Sequence, residues 1–282
     1  MIPLFSSDED ARAFAASIET RHLGKCIDFR VRTNSTNDLA LSAAREGFSH
    51  GQLFIAELQD SGRGRRGRSW FCAPGMGLLF SVLVRVLDSS AADSETGLRG
   101  VQSSDLGWVP LIAGLAAAEG IAAVCGPAPA LKWPNDIVVP SPEAPGWRKL
   151  GGILCESAFS PSRAGDCSGH VIVGMGLNVN HTQHDLPKPT QSPPTSLRLE
   201  YGRSVGRQAL LRAILQRLEK RLDELREGPT RADLKAEIVR HLAVWWTPEL
   251  QLTVQSSSSQ SDDGILVLVF NGEIYNYRSL RA

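Results

Sequence analysis

Apolar positions along this chain recur at two spacings. Within residues 205–227, Leu210, Leu211, Ile214, Leu215, Leu218, Leu222 and Leu225 fall three or four apart, with arginine and glutamate elsewhere. That period predicts an amphipathic helix with its leucine stripe packed on a core. Residues 106–124 are alanine-rich and predict a mostly buried helix. A short helix is predicted from Ser6 or Ser7 to about His22, with Phe14 and Ile18 on one face and Gly24 as its stop. Another starts at Ser35 or Thr36, pairs Leu39 with Ala43 on one face and ends at Gly47. A further helix is expected over residues 231–244. Alternating or wholly apolar runs predict strands at 27–32, 52–58, 78–87, 149–159 and 170–178, and a strand–turn–strand at 130–139.

Polar segments separate these elements. Residues 88–104 are rich in Ser, Asp and Gly and read as a surface loop, as does PSPEAPGW at 140–147. Helices alternate with hairpin-like strand pairs, which predicts an α+β fold: a mixed or antiparallel sheet with helices packed on one side. We place that domain at residues 1–244 and a small β-rich appendage, broken by SSSSQSDDG, at 245–282. A chain of 282 residues suits such a division.

Charge narrows the function classes. Lys plus Arg and Asp plus Glu each number 30, so the net charge is zero. A general nucleic-acid binder usually carries a basic surplus, so any arginine cluster here is a local device. The five cysteines (Cys26, Cys72, Cys125, Cys155 and Cys167) have neither disulfide-framework nor zinc-ribbon spacing and read as reduced thiols. The start MIPLFSSDEDARAF lacks a signal-peptide pattern, and no uninterrupted apolar run approaches the ~18 residues of a membrane span. The expectation is a soluble, cytoplasmic protein without membrane contact.

Four stretches carry candidate chemistry. QDSGRGRRGRSW at 59–70 holds four arginines and three glycines. Guanidinium forks suit phosphate and carboxylate oxygens, and glycine lets backbone N–H groups approach a ligand. Fixing a dozen residues costs on the order of 12 kcal/mol at ~1 per residue. Each charge-assisted bond returns ~1.5–3 kcal/mol, so such a loop is expected to order only when several form together. A nucleic-acid arm and a solvated loop are the competing readings. KWPND at 132–136 suits a turn ending a strand, either a plain turn or a nucleotide or metal contact. KLGGIL at 149–154 sets a lysine beside two glycines, an edge-strand lysine or a cation aimed at a ligand. In VIVGMGLNVN the alternating Gly174 and Gly176 leave one sheet face bare, where something flat could lie; as a dinucleotide fingerprint it fails.

With Ser35-Thr36-Asn37 ahead of them, the strings STN, GRGRRGRSW, KWPND, KLGGIL and GMGLNVN closely resemble those of the biotin–protein ligases over residues 27–200. The resemblance implies the class II aminoacyl-tRNA synthetase-like fold and a small SH3-like C-terminal unit. It implies that biotin and ATP form biotinyl-5′-AMP, and that biotin then passes to a lysine of a biotin carboxyl carrier protein of acetyl-CoA carboxylase or a related carboxylase. It assigns biotin to Ser35, Thr36, Asn37, Gln59, Gly62, Arg63, Lys149, Gly151 and Gly174. The adenylate falls to Arg65, Arg68, Trp70, Asn135, Gly176 and Asn178, with a Mg²⁺ contact at Asp136. Lys149 and Arg65 would be the catalytic cations, and no protein nucleophile is called for.

Some family members carry an N-terminal DNA-binding domain; here STN begins at residue 35, so a ligase without DNA binding is expected. A homodimer is among the assemblies the resemblance leaves open. The tail VFNGEIYNYRSLR at 269–281 resembles a glutaminase segment of asparagine synthetases and would leave the SH3-like unit incomplete. A lipoyl or octanoyl ligase or transferase of the same fold is the alternative. His181 and His184 in HTQH read as a polar loop before a metal pair.

Overall fold

The computed structural model describes residues 3–87, 100–132, 134–143, 146–161, 167–188 and 193–226, with Asp233, Leu234 and Glu237. The proposed appendage at 245–282, most of the helix expected at 231–244 and most of the loop at 88–104 lie outside these residues.

Among the described residues the frame is a mixed eight-stranded sheet. In chain order the strands are β1 (Ile27–Thr33), β2 (Leu53–Gln59), β3 (Gly77–Leu87), β4 (Val101–Gln102), β5 (Ala130–Lys132), β6 (Asp136–Pro140), β7 (Trp147–Pro161) and β8 (Cys167–Asn178). Their order across the sheet is β1-β2-β3-β8-β7-β6-β5, with β4 beside β3. The pairs β1/β2 and β3/β4 are parallel and the rest antiparallel. Strands β7 and β8 run past the predicted 159 and 170, which shortens the polar loop between them. Short β4 and a 3₁₀ turn, Ser103–Trp108, fall within the stretch read as loop.

The strand period of two divides the side chains of β3 cleanly. Leu78, Phe80, Val82 and Val84 join the main core, under helices α3 (Val109–Cys125) and α5 (Arg207–Arg226). Every leucine and isoleucine of the α5 stripe is buried there. The helical run Asp105–Cys125, which adds part of the 3₁₀ turn to α3, is long and apolar enough to cross a membrane by length and composition, but α3 lies against α5 and the sheet. Gly120 lets the two helices meet, since a Cβ there would come within 2.7 Å of Ile214 Cγ1. Helix α2 (Thr36–Arg45) departs from the one-sided arrangement: Ala40, Ala43 and Ala44 pack on Phe54, Leu83 and Ile172, on the opposite face. Gly47, at φ +81°, ends it with Phe48 N bonded to Ala43 O and its own N to Ala44 O, as expected of a left-handed stop.

Helix α1 (Asp8–Ser17) is capped by Ser7, whose side chain accepts from Asp10 N, but it stops well short of His22. Ile18 turns extended, and Lys25 Nζ donates to its carbonyl at 2.6 Å. Phe14 and Ile18 are nevertheless both buried, as their spacing predicted. A short helix α4 (Leu197–Tyr201), not foreseen, begins at Ser196, whose hydroxyl accepts from Leu199 N.

Candidate active site

On the α2 side of the sheet lies a cavity of about 430 Å³. Its floor is Gly152, Ile153 and Leu154 of β7 with Gly174, Met175 and Gly176 of β8. One wall is Ser35, Thr36 and Asn37 at the start of α2, with Gln59 at the end of β2. The other wall is Lys132, Pro134, Asn135, Asp136, Trp147 and Lys149, and the loop residues Arg63–Trp70 border the opening.

The α2 wall is built from its own hydrogen bonds. Ser35 is the N-cap residue but makes no side-chain cap bond. Gln59 Oε1 instead accepts from Thr36 N at 2.7 Å and from Thr36 Oγ1 at 3.0 Å, satisfying a donor that the helix start leaves orphaned. Buried Ser81, a residue with no sequence signal, sets its hydroxyl 2.8 Å from Thr36 Oγ1 and 2.6 Å from Asn37 Oδ1. Asn37 Nδ2 donates to Leu154 O and to Glu156 Oε2.

The bare face of β8 is filled by the protein itself. A Cβ on Gly174 would lie 2.0 Å from Asn37 Oδ1, and one on Gly176 would lie 2.6 Å from Trp70 Nε1. The flat object expected against these glycines is thus, at Gly176, the Trp70 indole. Among the described residues its buried Nε1 has no hydrogen-bond partner, which leaves a donor at the floor. Gly174→Ala should displace Asn37 and destabilise the fold by about 1–3 kcal/mol, the usual cost of overpacking. A urea denaturation midpoint equal to that of the wild type would contradict this packing.

Lys149 belongs to the second wall. Its Nζ is 2.6 Å from Asp136 Oδ1 and 5.5 Å from the centre of the Trp70 ring. Lys132 Nζ lies 4.3 Å over Trp147, so a second cation and a second aromatic face meet there. Asn135 donates through Nδ2 to Ile153 O and accepts Ile153 N at its carbonyl, pinning the KWPND turn to β7.

The arginine–glycine loop has a shape. Trp70 N donates to Gly62 O at 2.7 Å and Gly64 N to Arg68 O at 2.6 Å, making a narrow hairpin. At its tip Arg66 (φ +57°) and Gly67 (φ +70°) are left-handed. With the limbs paired as far as Gly64 and Arg68, only residues 65–67 lie beyond the pairing, and fixing them on a ligand would cost about 3 kcal/mol rather than ~12. Arg63 is held by Glu156 and Asp38, whereas among the described residues neither Arg65 nor Arg68 is paired with a carboxylate.

Three expected residues stay out of the cavity wall. Gly151 faces the other way, where a Cβ would strike Leu177 Cδ2 at 2.5 Å; its neighbour Gly152 takes the cavity position. Asn178 is buried and donates to Thr195 O. Gly62 sits under the loop, where a Cβ would meet Trp70 O at 2.5 Å. Conversely Trp147, Met175 and Lys132 border the cavity; Lys132 and Met175 stand inside KWPND and GMGLNVN, whereas Trp147 carried no signal.

Cysteine and histidine chemistry lies elsewhere. Loss of hydration pushes the Cys155 and Cys72 thiols up to about 12, so both stay protonated. His181 is buried with Nε2 3.5 Å from Cys72 Sγ, and burial pushes its pKa down to about 4. His184 is exposed, so HTQH splits between core and solvent. Among the described residues no three His, Cys, Asp or Glu side chains are grouped to hold a metal.

The site therefore offers Lys149, Lys132, Arg65 and Arg68 as cations beside apolar Leu154 and the Trp70 and Trp147 rings; Ile153 and Met175 border it, but their side chains belong to the core. Its two nearest carboxylates, Asp136 and Glu156, are already neutralised by Lys149 and Arg63. That balance suits an elongated ligand, part apolar and part anionic.

The pattern of the biotin/lipoate A/B protein ligase family matches residues 29–178. The chain is 34% identical over 207 residues to a biotin–[acetyl-CoA-carboxylase] ligase of Mycobacterium tuberculosis, covering 72% of this chain and 66% of that one. It is 28% identical over 204 residues to the bifunctional ligase/repressor BirA of Bacillus spizizenii, covering 72% of this chain. The match spans only 56% of that relative's length. Among solved structures it is similar to a biotin protein ligase from Aquifex aeolicus in complex with biotin and ATP, with a TM-score of 0.54 and 26% identity, over 76% of this chain and 77% of that one.

Proposed function

Because the chain belongs to the biotin/lipoate A/B protein ligase family, we propose that it joins biotin to ATP as biotinyl-5′-AMP and passes biotin to a lysine of a carboxyl carrier domain. The observation that carries this reading is the convergence of STN, the arginine–glycine loop, KWPND, KLGGIL and GMG on one cavity. The similar protein from Aquifex aeolicus binds both biotin and ATP, and the Mycobacterium tuberculosis relative is an acetyl-CoA-carboxylase ligase.

In the first step a biotin carboxylate oxygen attacks the α-phosphorus of ATP. The new acyl O–P bond replaces the bond to pyrophosphate, which leaves. Two anions must meet, so fixed cations at the junction are what the reaction needs. Lys149 supplies a compact charge there, and Arg65 and Arg68 supply forks for phosphate oxygens. The wall around Ser35, Thr36 and Gln59 receives the ring system of biotin, and Lys132, Asn135 and Trp147 lie toward the nucleotide. In the second step the carrier lysine amine attacks the acyl carbon, loses a proton, and AMP departs with the bridging oxygen. The loop shields the anhydride from water between the steps.

Magnesium fits this site as part of the nucleotide substrate. A lone carboxylate beside phosphates is how Mg²⁺ is often held, and Asp136 is such a carboxylate. Its Oδ1 is shared with Lys149 Nζ at 2.6 Å, so the ammonium would have to yield part of it.

Incubation with ATP, a carrier domain and either biotin, lipoate or octanoate, followed by mass detection of the carrier, tests the reading. Biotinylation alone is expected; a carrier that gains lipoate or octanoate instead would reverse the substrate assignment. Arg65→Ala should lower pyrophosphate release about ten- to a hundredfold by removing one or two charge-assisted bonds. Unchanged release would take Arg65 out of the site.

A further inference from the structure

Glu156 lies on β7 on the cavity face, in step with Gly152 and Leu154, and no motif announced it. Both of its carboxylate oxygens are engaged. Oε1 accepts from Arg63 Nη1 at 2.9 Å, and Oε2 accepts from Arg63 Nη2 at 2.8 Å and from Asn37 Nδ2 at 2.7 Å. The same Arg63 Nη2 lies 2.7 Å from Asp38 Oδ1. One side chain thereby ties the first limb of the arginine–glycine loop to the sheet and to the start of α2, across 93 and 119 residues of sequence.

Isolated surface ion pairs contribute little, but a bidentate guanidinium–carboxylate pair inside a network is the geometry in which they count. Arg63 is also the last residue before the tip, and it forms an isolated antiparallel bridge with Ser69 on the returning limb. Holding Arg63 therefore holds both limbs. Beyond the clasp lies the short tip that carries Arg65 and Arg68, closed only by its own bonds from Gly64 N to Arg68 O and from Arg68 N to Arg65 O.

We infer that Glu156 is a positioning residue: through Arg63 it clasps the root of the loop, so that the tip opens and closes as a short flap over the cavity. The functional half, retention of the acyl-adenylate under that flap, rests on the ligase reading above; the structural half does not. Glu156→Gln keeps an oxygen for Asn37 but removes the charge and one arm of the fork. Arg63→Met breaks the same clasp from the other side.

The first measurement uses the ligand-free full chain: trypsin cleavage after Arg65, Arg66 and Arg68, followed by mass spectrometry. Cleavage should be about tenfold faster in E156Q and in R63M than in wild type, the loss of one charge-assisted contact, and no faster in the double variant. Matching circular dichroism spectra of wild type and variants establish that the fold is kept; should E156Q not fold, R63M alone decides. Unchanged cleavage, or effects that multiply in the double variant, would overturn the clasp. The second measurement is escape of preformed biotinyl-5′-AMP by rapid filtration. About tenfold faster escape is expected in E156Q, with the rate of pyrophosphate release altered less. Equal escape would overturn the functional half. A wild-type chain that forms no adenylate defeats the ligase reading instead, while the cleavage result still judges the clasp.

Discussion

Lys149→Ala should lower the rate of adenylate formation by about a hundred- to a thousandfold while leaving the protein folded, the loss expected for one preorganised electrostatic contact at the reacting atoms. The lysine lines the cavity, set between Asp136 at 2.6 Å and the Trp70 ring at 5.5 Å. Its removal frees Asp136, which then faces the incoming phosphates as an unneutralised charge, so the variant both loses attraction and gains repulsion. The melting temperature should change little because the side chain is partly exposed and its apolar stem replaces no core contact. Pyrophosphate release under saturating biotin and ATP is the measurement. Lys149→Arg should not rescue it, because the larger planar fork cannot reproduce a compact charge above Trp70. Full activity in the alanine variant would remove Lys149 from the chemistry.

Arg207→Met should cost about 3–5 kcal/mol of folding stability, the largest single effect expected outside the cavity. Arg207 and Glu57 are both buried, 6% and 8% exposed, and paired at 2.7 Å. Arg207 Nη1 also donates to Gly77 O at the start of β3, and the backbone N–H of Leu4 donates to Glu57. The pair thus fastens the N-terminal segment, β2, β3 and the start of α5 together. Loss of the cation strands a carboxylate in a place without water. The effect should shrink in Glu57→Gln/Arg207→Met, where no lone charge remains. Chemical denaturation of the two variants measures the difference; equal stability in both would show that the desolvated charge is not the cause.

Much of the fold could be read without coordinates because burial is periodic. The α5 stripe is a helix face in any context, and all seven of its residues are buried. The strands were found to within a few residues, and Gly47 stopped α2 because only a left-handed residue closes that turn easily. The end of α1 could not be read: Phe14 and Ile18 both had to be buried, and a helix or an extended turn serves equally well. The motif strings were legible because reactions between anions restrict residue types, but their strings could not say which atoms remain free. Asn37 and Trp70 occupy the space that Gly174 and Gly176 leave, and Arg63 is bound to Glu156, a residue no string marked.

Lys149 shows the boundary most clearly. Alternation counted along β7 from Gly152 would put Lys149 on the core side. A register shift between Ile137 and Val138 leaves Leu150 as an extra residue, between the pairs Ile137↔Gly151 and Val138↔Lys149. Leu150 is buried, Gly151 faces Leu177, and the lysine emerges into the cavity. The sequence by itself determined the elements, the residue types at the site and the family, because those depend on local period and on chemistry. Tertiary structure decided the face each side chain takes and the partner that claims its charge, because a single unpaired residue reverses a strand's two sides and a salt bridge spans segments that no local pattern connects.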